Sequence, residues 1–460
     1  MKLKYPLGAL AVVAVGALVL TGCGSGAENV DDDSLLVWST EVQPDRVAVT
    51  EQIIEEFTAK TGIDVELVPV EDAQMSQLVA AAALSREMPD VIGNVGLGLV
   101  RAFDGDGYVD REAAAQVVEN LGAETWSEST LTLTQDGGEQ LSVPSDSWTQ
   151  ILVYRTDLFE KAGLPAPDDY ESLLNAAETL TTGSNYGISL ATDPSDLFTQ
   201  QTFEALALGN GCQLVDQGGT VTLDSENCAA TVDLYGQLAA DYSPAGAQTV
   251  DSTRASYFSG QVAMTMWSTF LLDELAGLRN DAMPSCPECV TPTYLAENTG
   301  IIPLVEGPNA DGSAGTFGEL ASWVITSDAS TDDATTFVEY MMSEGYADWF
   351  GIAPEGKFPA RTGTAENPTE YIDTWATLPV GVDTRLPLAD VYPPETIAAL
   401  GSINDDITRW AIVEGQGALL GPLDAELPIP KIIGELGVGA VDAKTAQQQM
   451  QDAVQEIADR

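Results

Sequence analysis

Leu35-Leu36-Val37-Trp38, the run from Pro44-Asp45 to Gly62, and Ile63-Asp64-Val65-Glu66-Leu67-Val68-Pro69-Val70 decide the fold class. The first four residues form a short apolar strand. Pro44 and Asp45 open a helix that puts Val49, Ile53, Ile54 and Phe57 on one face, and Gly62 ends it. Residues 63–70 alternate apolar and polar as a half-buried strand does. The pattern then repeats, with a helix from about Ala73 to Arg86 and a buried strand at Pro89-Asp90-Val91-Ile92. Strands alternating with helices imply an α/β fold with a parallel sheet and ligand sites at its strand ends.

Farther along, Leu141-Ser142-Val143-Pro144 and Ile151-Leu152-Val153-Tyr154 read as two strands. The polar segment Ser145-Asp146-Ser147-Trp148-Thr149-Gln150 connects them. Helices follow at Thr156–Gly163 and from Asp168-Asp169 onward, then a strand at Tyr186–Leu190. Ala446, Met450, Val454 and Ile457 space one apolar face of a closing helix.

Toward the amino terminus, Lys2 and Lys4 precede an uncharged stretch from Tyr5 to Gly26, apolar from Leu7 to Leu20. This is the plan of a secretion signal, too short to span a bilayer comfortably. It ends in Leu20-Thr21-Gly22-Cys23, which looks like a lipobox, with lipid expected on the Cys23 thiol. An ordinary signal peptide with a chance cysteine, or an uncleaved anchor, is the alternative. No twin-arginine pair is present, so export unfolded by the general pathway is expected. Residues 1–22 read as the signal, and residues 23–33 as a flexible polar tether. The product is expected outside the cytoplasm, held at the cell membrane.

Removing the signal leaves 438 of 460 residues, a length that suits two domains. Hydrophobic residues make up 44%, as in a globular chain. The 18 basic and 71 acidic residues give a formal charge of −53, or −55 once Lys2 and Lys4 depart. Such a body repels phosphates, which excludes nucleic acid as a partner. The acids are spread along the chain, which fits salty surroundings or a lineage-wide bias in composition. Histidine is absent, so no Ser-His-Asp or Cys-His catalysis and no His-ligated metal is possible.

Four cysteines remain after Cys23, namely Cys212, Cys228, Cys286 and Cys289, an even number that suggests two disulfides in an exported protein. Cys212 with Cys228 would close a loop around a Gly-Gly turn, and Cys286 with Cys289 a very small one. A four-cysteine zinc site would need both pairs to meet, and a redox site would need a thioredoxin-type context.

Several segments together resemble the extracellular solute-binding proteins that serve carbohydrate importers, the family of maltose-binding protein. Val143-Pro144 through Val153-Tyr154-Arg155-Thr156-Asp157-Leu158-Phe159-Glu160-Lys161-Ala162-Gly163-Leu164-Pro165 carries the likeness, leading into Tyr170–Leu174. Tyr257-Phe258-Ser259-Gly260-Gln261-Val262-Ala263-Met264-Thr265-Met266-Trp267 and the tail from Gly434 add to it. The resemblance implies a two-lobed, type II clam-shell, each lobe a mixed, mostly parallel sheet flanked by helices. One lobe would comprise residues 34–147 plus 298–331, and the other 148–297 plus 332–460. It further implies a monomer that captures a sugar or oligosaccharide by closing, presents it to ABC permease subunits, and needs no cofactor or metal.

Sugar hydroxyls need paired donors and acceptors, and sugar faces stack on aromatic rings. Carried over by segment, the candidates are Ser39, Thr40 and Glu41 after the first strand, and Asn94 after Ile92. The run Val95-Gly96-Leu97-Gly98 departs from the family's polar pattern. Asp146, Trp148 and Thr149 follow in the hinge segment, then Trp267, Ser268 and Phe270. Gln201, Phe203 and Glu319 are weaker candidates. Lys357 and Arg361 draw notice because cations are scarce. Trp126, Trp323, Trp349, Trp375 and Trp410 read as packing. The shortage of cations favours a neutral ligand over a phosphorylated one. The competing readings are a secreted glycoside hydrolase, which needs only two spaced carboxylates and which no segment resembles, and a binding protein of the same fold for a non-sugar solute.

Overall fold

In the computed structural model, residues 34–310 and 312–460 are described. The expected signal, Cys23 and the tether lie outside the described residues. Strand β1 (Leu35–Ser39), helix α1 (Pro44–Thr61), β2 (Val65–Pro69), α2 (Asp72–Ser85) and β3 (Val91–Val95) follow the alternation in sequence. β1 lies between β2 and β3, parallel to both. α1 buries Ile53, Ile54 and Phe57, and Gly62 closes it at φ 79°, a left-handed geometry that glycine adopts without steric cost. Helices α3 (Leu97–Gly105) and α4 (Arg111–Leu121) complete this part.

Next comes β4 (Val143–Arg155), a single strand of 13 residues. The expected break at 145–150 does not occur. The polar run reads as a connection because buried strands are usually apolar. Here tertiary partners take the place of water. Ser145 Oγ donates to Asp146, Ser147 Oγ donates to Asn404, and Asp146 pairs with Lys357.

The second lobe holds α5 (Thr156–Ala162), α6 (Tyr170–Leu180), β5 (Tyr186–Ser189), α7 (Leu197–Gly209) and α8 (Glu226–Asp241), followed by β6 (Val262–Ser268) and β7 (Thr299–Ile302). Asp169 caps α6 reciprocally with Ser172, which supplies partners for its first free amides. The chain then returns through β8 (Thr316–Ile325). Sheet order is β2-β1-β3-β8-β4-β6-β5. β5 and β6 are parallel, and β4 and β8 run antiparallel to each other. Both of these strands serve two lobes. Residues 143–149 of β4 pair with β8, and residues 150–155 pair with β6 and β7. The α/β clam-shell expected from the sequence is therefore present, joined by two crossing strands.

The lobe boundaries differ from expectation in two places. β7 pairs with Leu152–Arg155, so residues 299–302 belong to the second lobe. Helices α9 (Thr331–Met341) and α10 (Tyr346–Phe350) pack on α1 and α4 of the first lobe. Phe337 meets Phe57 edge-on at 5.2 Å, which shows why: the apolar faces of α1 and α9 cover each other.

The second lobe closes with α11 (Leu420–Glu426), α12 (Pro428–Gly437) and α13 (Ala443–Ala458). α13 buries Ala446, Met450, Val454 and Ile457, the face read from the sequence. Disulfides join Cys212 to Cys228 and Cys286 to Cys289, with Cα separations of 4.7 and 5.0 Å. Trp126, Trp323, Trp349, Trp375 and Trp410 are all buried, and Trp349 also contacts Asp146 and Lys357. Among the described residues no helix is long and apolar enough to cross a membrane, and no group of three His, Cys, Asp or Glu could hold a metal.

Candidate functional site

A cavity of about 510 Å³ opens where the two crossing strands meet the carboxyl ends of β1 and β3. It is lined by Thr40, Glu41, Asn94, Asp146, Trp148, Gln201, Phe270 and Glu319 from the sequence-derived set. The first-lobe strand ends supply Glu41 and Asn94, β4 supplies Asp146 and Trp148, and α7 supplies Gln201.

At the cavity floor, Lys357 is the hub of a buried ion cluster. Its Nζ lies 2.8 Å from Glu41 Oε1 and 3.2 Å from Asp146 Oδ1, and donates to Asn94 Oδ1 at 3.1 Å. The ammonium sits 4.4 Å from the centre of the Trp349 ring. Asp146 Oδ2 accepts from Ser145 Oγ at 2.6 Å and Trp349 Nε1 at 2.8 Å, and Glu41 Oε2 pairs with Arg46 at 3.1 Å. Asn94 is held at φ 61°, uncommon for a side chain with a Cβ, and donates to Thr40 Oγ1 at 2.8 Å. Burial favours the neutral form of each ion here. It would lower the Lys357 ammonium, yet Asp146 and Glu41 outweigh it and hold the group raised. Burial would raise Glu41, yet Lys357 and Arg46 outweigh it and hold that carboxyl below its ordinary value.

A second cluster lies under the opposite wall. Arg409 is 2% exposed, and its Nε donates to Glu204 Oε1 at 3.2 Å. Its other guanidinium nitrogens pair with Glu319 and, at 3.6 Å, with Asp424. Glu319 also accepts from the Leu97 amide at 3.1 Å, which ties it to the start of α3. Gly96 makes this approach possible, because a Cβ there would lie 3.1 Å from Glu319 Oε1. Burial pushes the fully enclosed Glu204 carboxyl up to about 7, with Arg409 only partly offsetting it. The same three carboxylates outweigh burial at Arg409 and raise it.

Trp148 is half-buried, with ring centres 6.3 Å from Phe270 and 5.8 Å from Phe317. Trp148 and Phe270 give the cavity an apolar wall beside its polar floor, and the buried Phe317 backs Trp148 from within the core.

The remaining candidates fall outside the cavity. Thr149 follows Trp148 on a strand, so it faces the other way, and it is buried. Phe203 lies two residues beyond Gln201, about 200° around the helix, and packs on Tyr235 and Trp410. Trp267 is a packing residue whose Nε1 donates to Val250 O at 3.0 Å. Ser39 is buried and accepts from the Glu41 amide, and Ser268 is buried at the end of β6. Arg361 donates to the carbonyls of Met342 and Leu121 and does not line the cavity.

Sequence reasoning missed Arg46, Asp72, Ser76, Arg409 and Asp424, all of which line the cavity. Only Arg46 and Arg409 carried a signal, the scarcity of cations that also drew notice to Lys357.

The chain matches the model of the bacterial extracellular solute-binding proteins over residues 42–348. It is 27% identical over 462 residues to the putative ABC transporter periplasmic-binding protein YcjN of Escherichia coli (strain K12), covering 97% of this chain and 98% of that one. Its fold is similar to the GacH receptor of Streptomyces glaucescens, solved unliganded and with acarbose. That match has a TM-score of 0.64 at 19% identity and covers 93% and 98% of the two chains. It is also similar to the cyclic alpha-maltosyl-1,6-maltose binding protein of Arthrobacter globiformis, with a TM-score of 0.69 at 14% identity over 92% and 98%. Two crossing strands, a cavity between lobes and this family match lead to one conclusion: the chain belongs to the bacterial extracellular solute-binding proteins, the binding components of ABC transporters.

Proposed function

We propose that this protein is the lipid-anchored receptor of an ABC importer, capturing an uncharged sugar or oligosaccharide between its lobes and presenting it to the permease. The observation that carries the reading is the cavity at the lobe junction, where the Trp148 and Phe270 rings stand beside polar groups from both lobes. Aromatic faces pack on the C–H surface of a sugar, and the polar rim meets its hydroxyls. An anionic ligand is disfavoured, because Lys357 and Arg409 are already enclosed by carboxylates. Likewise, Glu41 and Asp146 share one lysine, an arrangement that fits a binding site better than a hydrolase acid–base pair. Residues 1–22 act as the signal, and Cys23 with the 23–33 tether keeps the monomeric receptor near its permease.

Thermal-shift screening with maltose, maltotetraose, α-D-tagatose and ribitol tests the ligand class. At least one sugar is expected to raise the melting temperature, and Trp148→Ala is expected to abolish that shift with unliganded stability nearly unchanged. A full shift in the variant would remove Trp148 from the site. Sugar recovered cleaved after incubation would replace the receptor reading by a hydrolase.

A further inference from the structure

We infer that ligand choice is made at Asp72, Ser76 and Gln201, and not at Glu41, Asn94 and Asp146, whose polar atoms Lys357 holds. This rests on the sugar-receptor reading. Three side-chain donors are all that a lysine ammonium carries, and those of Lys357 go to Glu41, Asn94 and Asp146. Glu41 and Asp146 are also 5% and 2% exposed, so a ligand meets little of either. Arg46 and Asp424 are partly engaged as well, the first with Glu41 and the second with Gln200 and Arg409.

Asp72, Ser76 and Gln201 line the same cavity and make no side-chain hydrogen bond with any described residue. Asp72 and Ser76 stand four residues apart on α2, so they share one face of that helix in the first lobe. Gln201 stands on α7 of the second lobe. The chemistry is complementary to a vicinal diol. A carboxylate accepts, a hydroxyl does both, and an amide offers two donors and one acceptor. Asp72 and Glu319 line the same cavity as two acidic groups, so an added negative group on the ligand would meet carboxylates on that side. A ligand held by Asp72 and Ser76 on one side and Gln201 on the other ties its affinity to the approach of the lobes.

Isothermal titration of the intact protein with maltose, maltotetraose, α-D-tagatose and ribitol tests this. Asp72→Asn and Gln201→Ala are each expected to weaken the best ligand by about tenfold and to change the order of preference among the four. The unliganded melting temperature should stay unchanged, since both side chains lack partners in the fold. Wild-type affinities and order in both variants would overturn the inference while leaving the sugar reading intact. Failure of wild-type protein to bind any of the four would instead strike the sugar reading, and this inference with it.

Discussion

The floor and the wall of the cavity each centre on one buried cation, and the two clusters are balanced differently. At the floor, Lys357 and Arg46 face Glu41 and Asp146, two charges against two, and every carboxylate oxygen has a partner. Under the wall, Arg409 alone faces Glu204, Glu319 and Asp424, and Glu204 Oε2 has no hydrogen-bond partner. The balanced cluster keeps its acid Glu41 ionised, and the unbalanced one pushes Glu204 up to about 7. Burial acts to raise both acids, and the partners within reach decide whether that rise is offset.

Breaking the balance at the floor should have the largest effect. Lys357→Met leaves Asp146 enclosed without a cation and Glu41 with Arg46 alone, which costs about 3–5 kcal/mol of stability. Urea unfolding checks this, and a loss under 1 kcal/mol would show that the floor tolerates bare acids.

A smaller effect, of the opposite sign at high pH, is expected at the wall. The Glu204 carboxyl is raised above its unfolded value. Its contribution to stability is therefore whole below about pH 4.5 and declines as pH rises through about 7. Glu204→Gln should remove on the order of 2 kcal/mol of that decline between pH 5 and 9. Parallel melting curves of variant and wild type across that range would contradict the assignment.

Smallest of the three is Gly96→Ala. Its added Cβ at 3.1 Å from Glu319 Oε1 asks that side chain to shift by a few tenths of an ångström. A loss under about 1 kcal/mol is expected in the same unfolding assay, since the backbone at Gly96 is ordinary extended chain.

The elements were legible wherever spacing alone determined them. α1 begins at Pro44 and stops before Gly62, and α13 buries the four residues its period marked out. β4 was misread because Ser145–Gln150 are polar for a reason that lies elsewhere in the chain, in Asn404 and Lys357. The cavity shows the same divide. Thr40 and Glu41 follow the end of β1, and Asn94 stands within β3 near its carboxyl end, where α/β sheets present ligands, and all three line it. Asp72, Arg409 and Asp424 come from separate segments with no motif, and only tertiary packing brings them to one cavity. Trp267 shows the converse, since a strand-end tryptophan in the expected order proved to be packing.

The return of the chain through β8, α9 and α10 has a consequence for the order of assembly. β3 has no neighbour on its inner side until Ser322–Ile325 arrive, and the apolar face of α1 stays bare until Phe337 and Tyr340 do. The part of the molecule synthesised first is therefore among the last to be finished. The contacts that complete the first lobe are thus long-range ones, whose loop-closure cost falls on residues more than 200 positions apart.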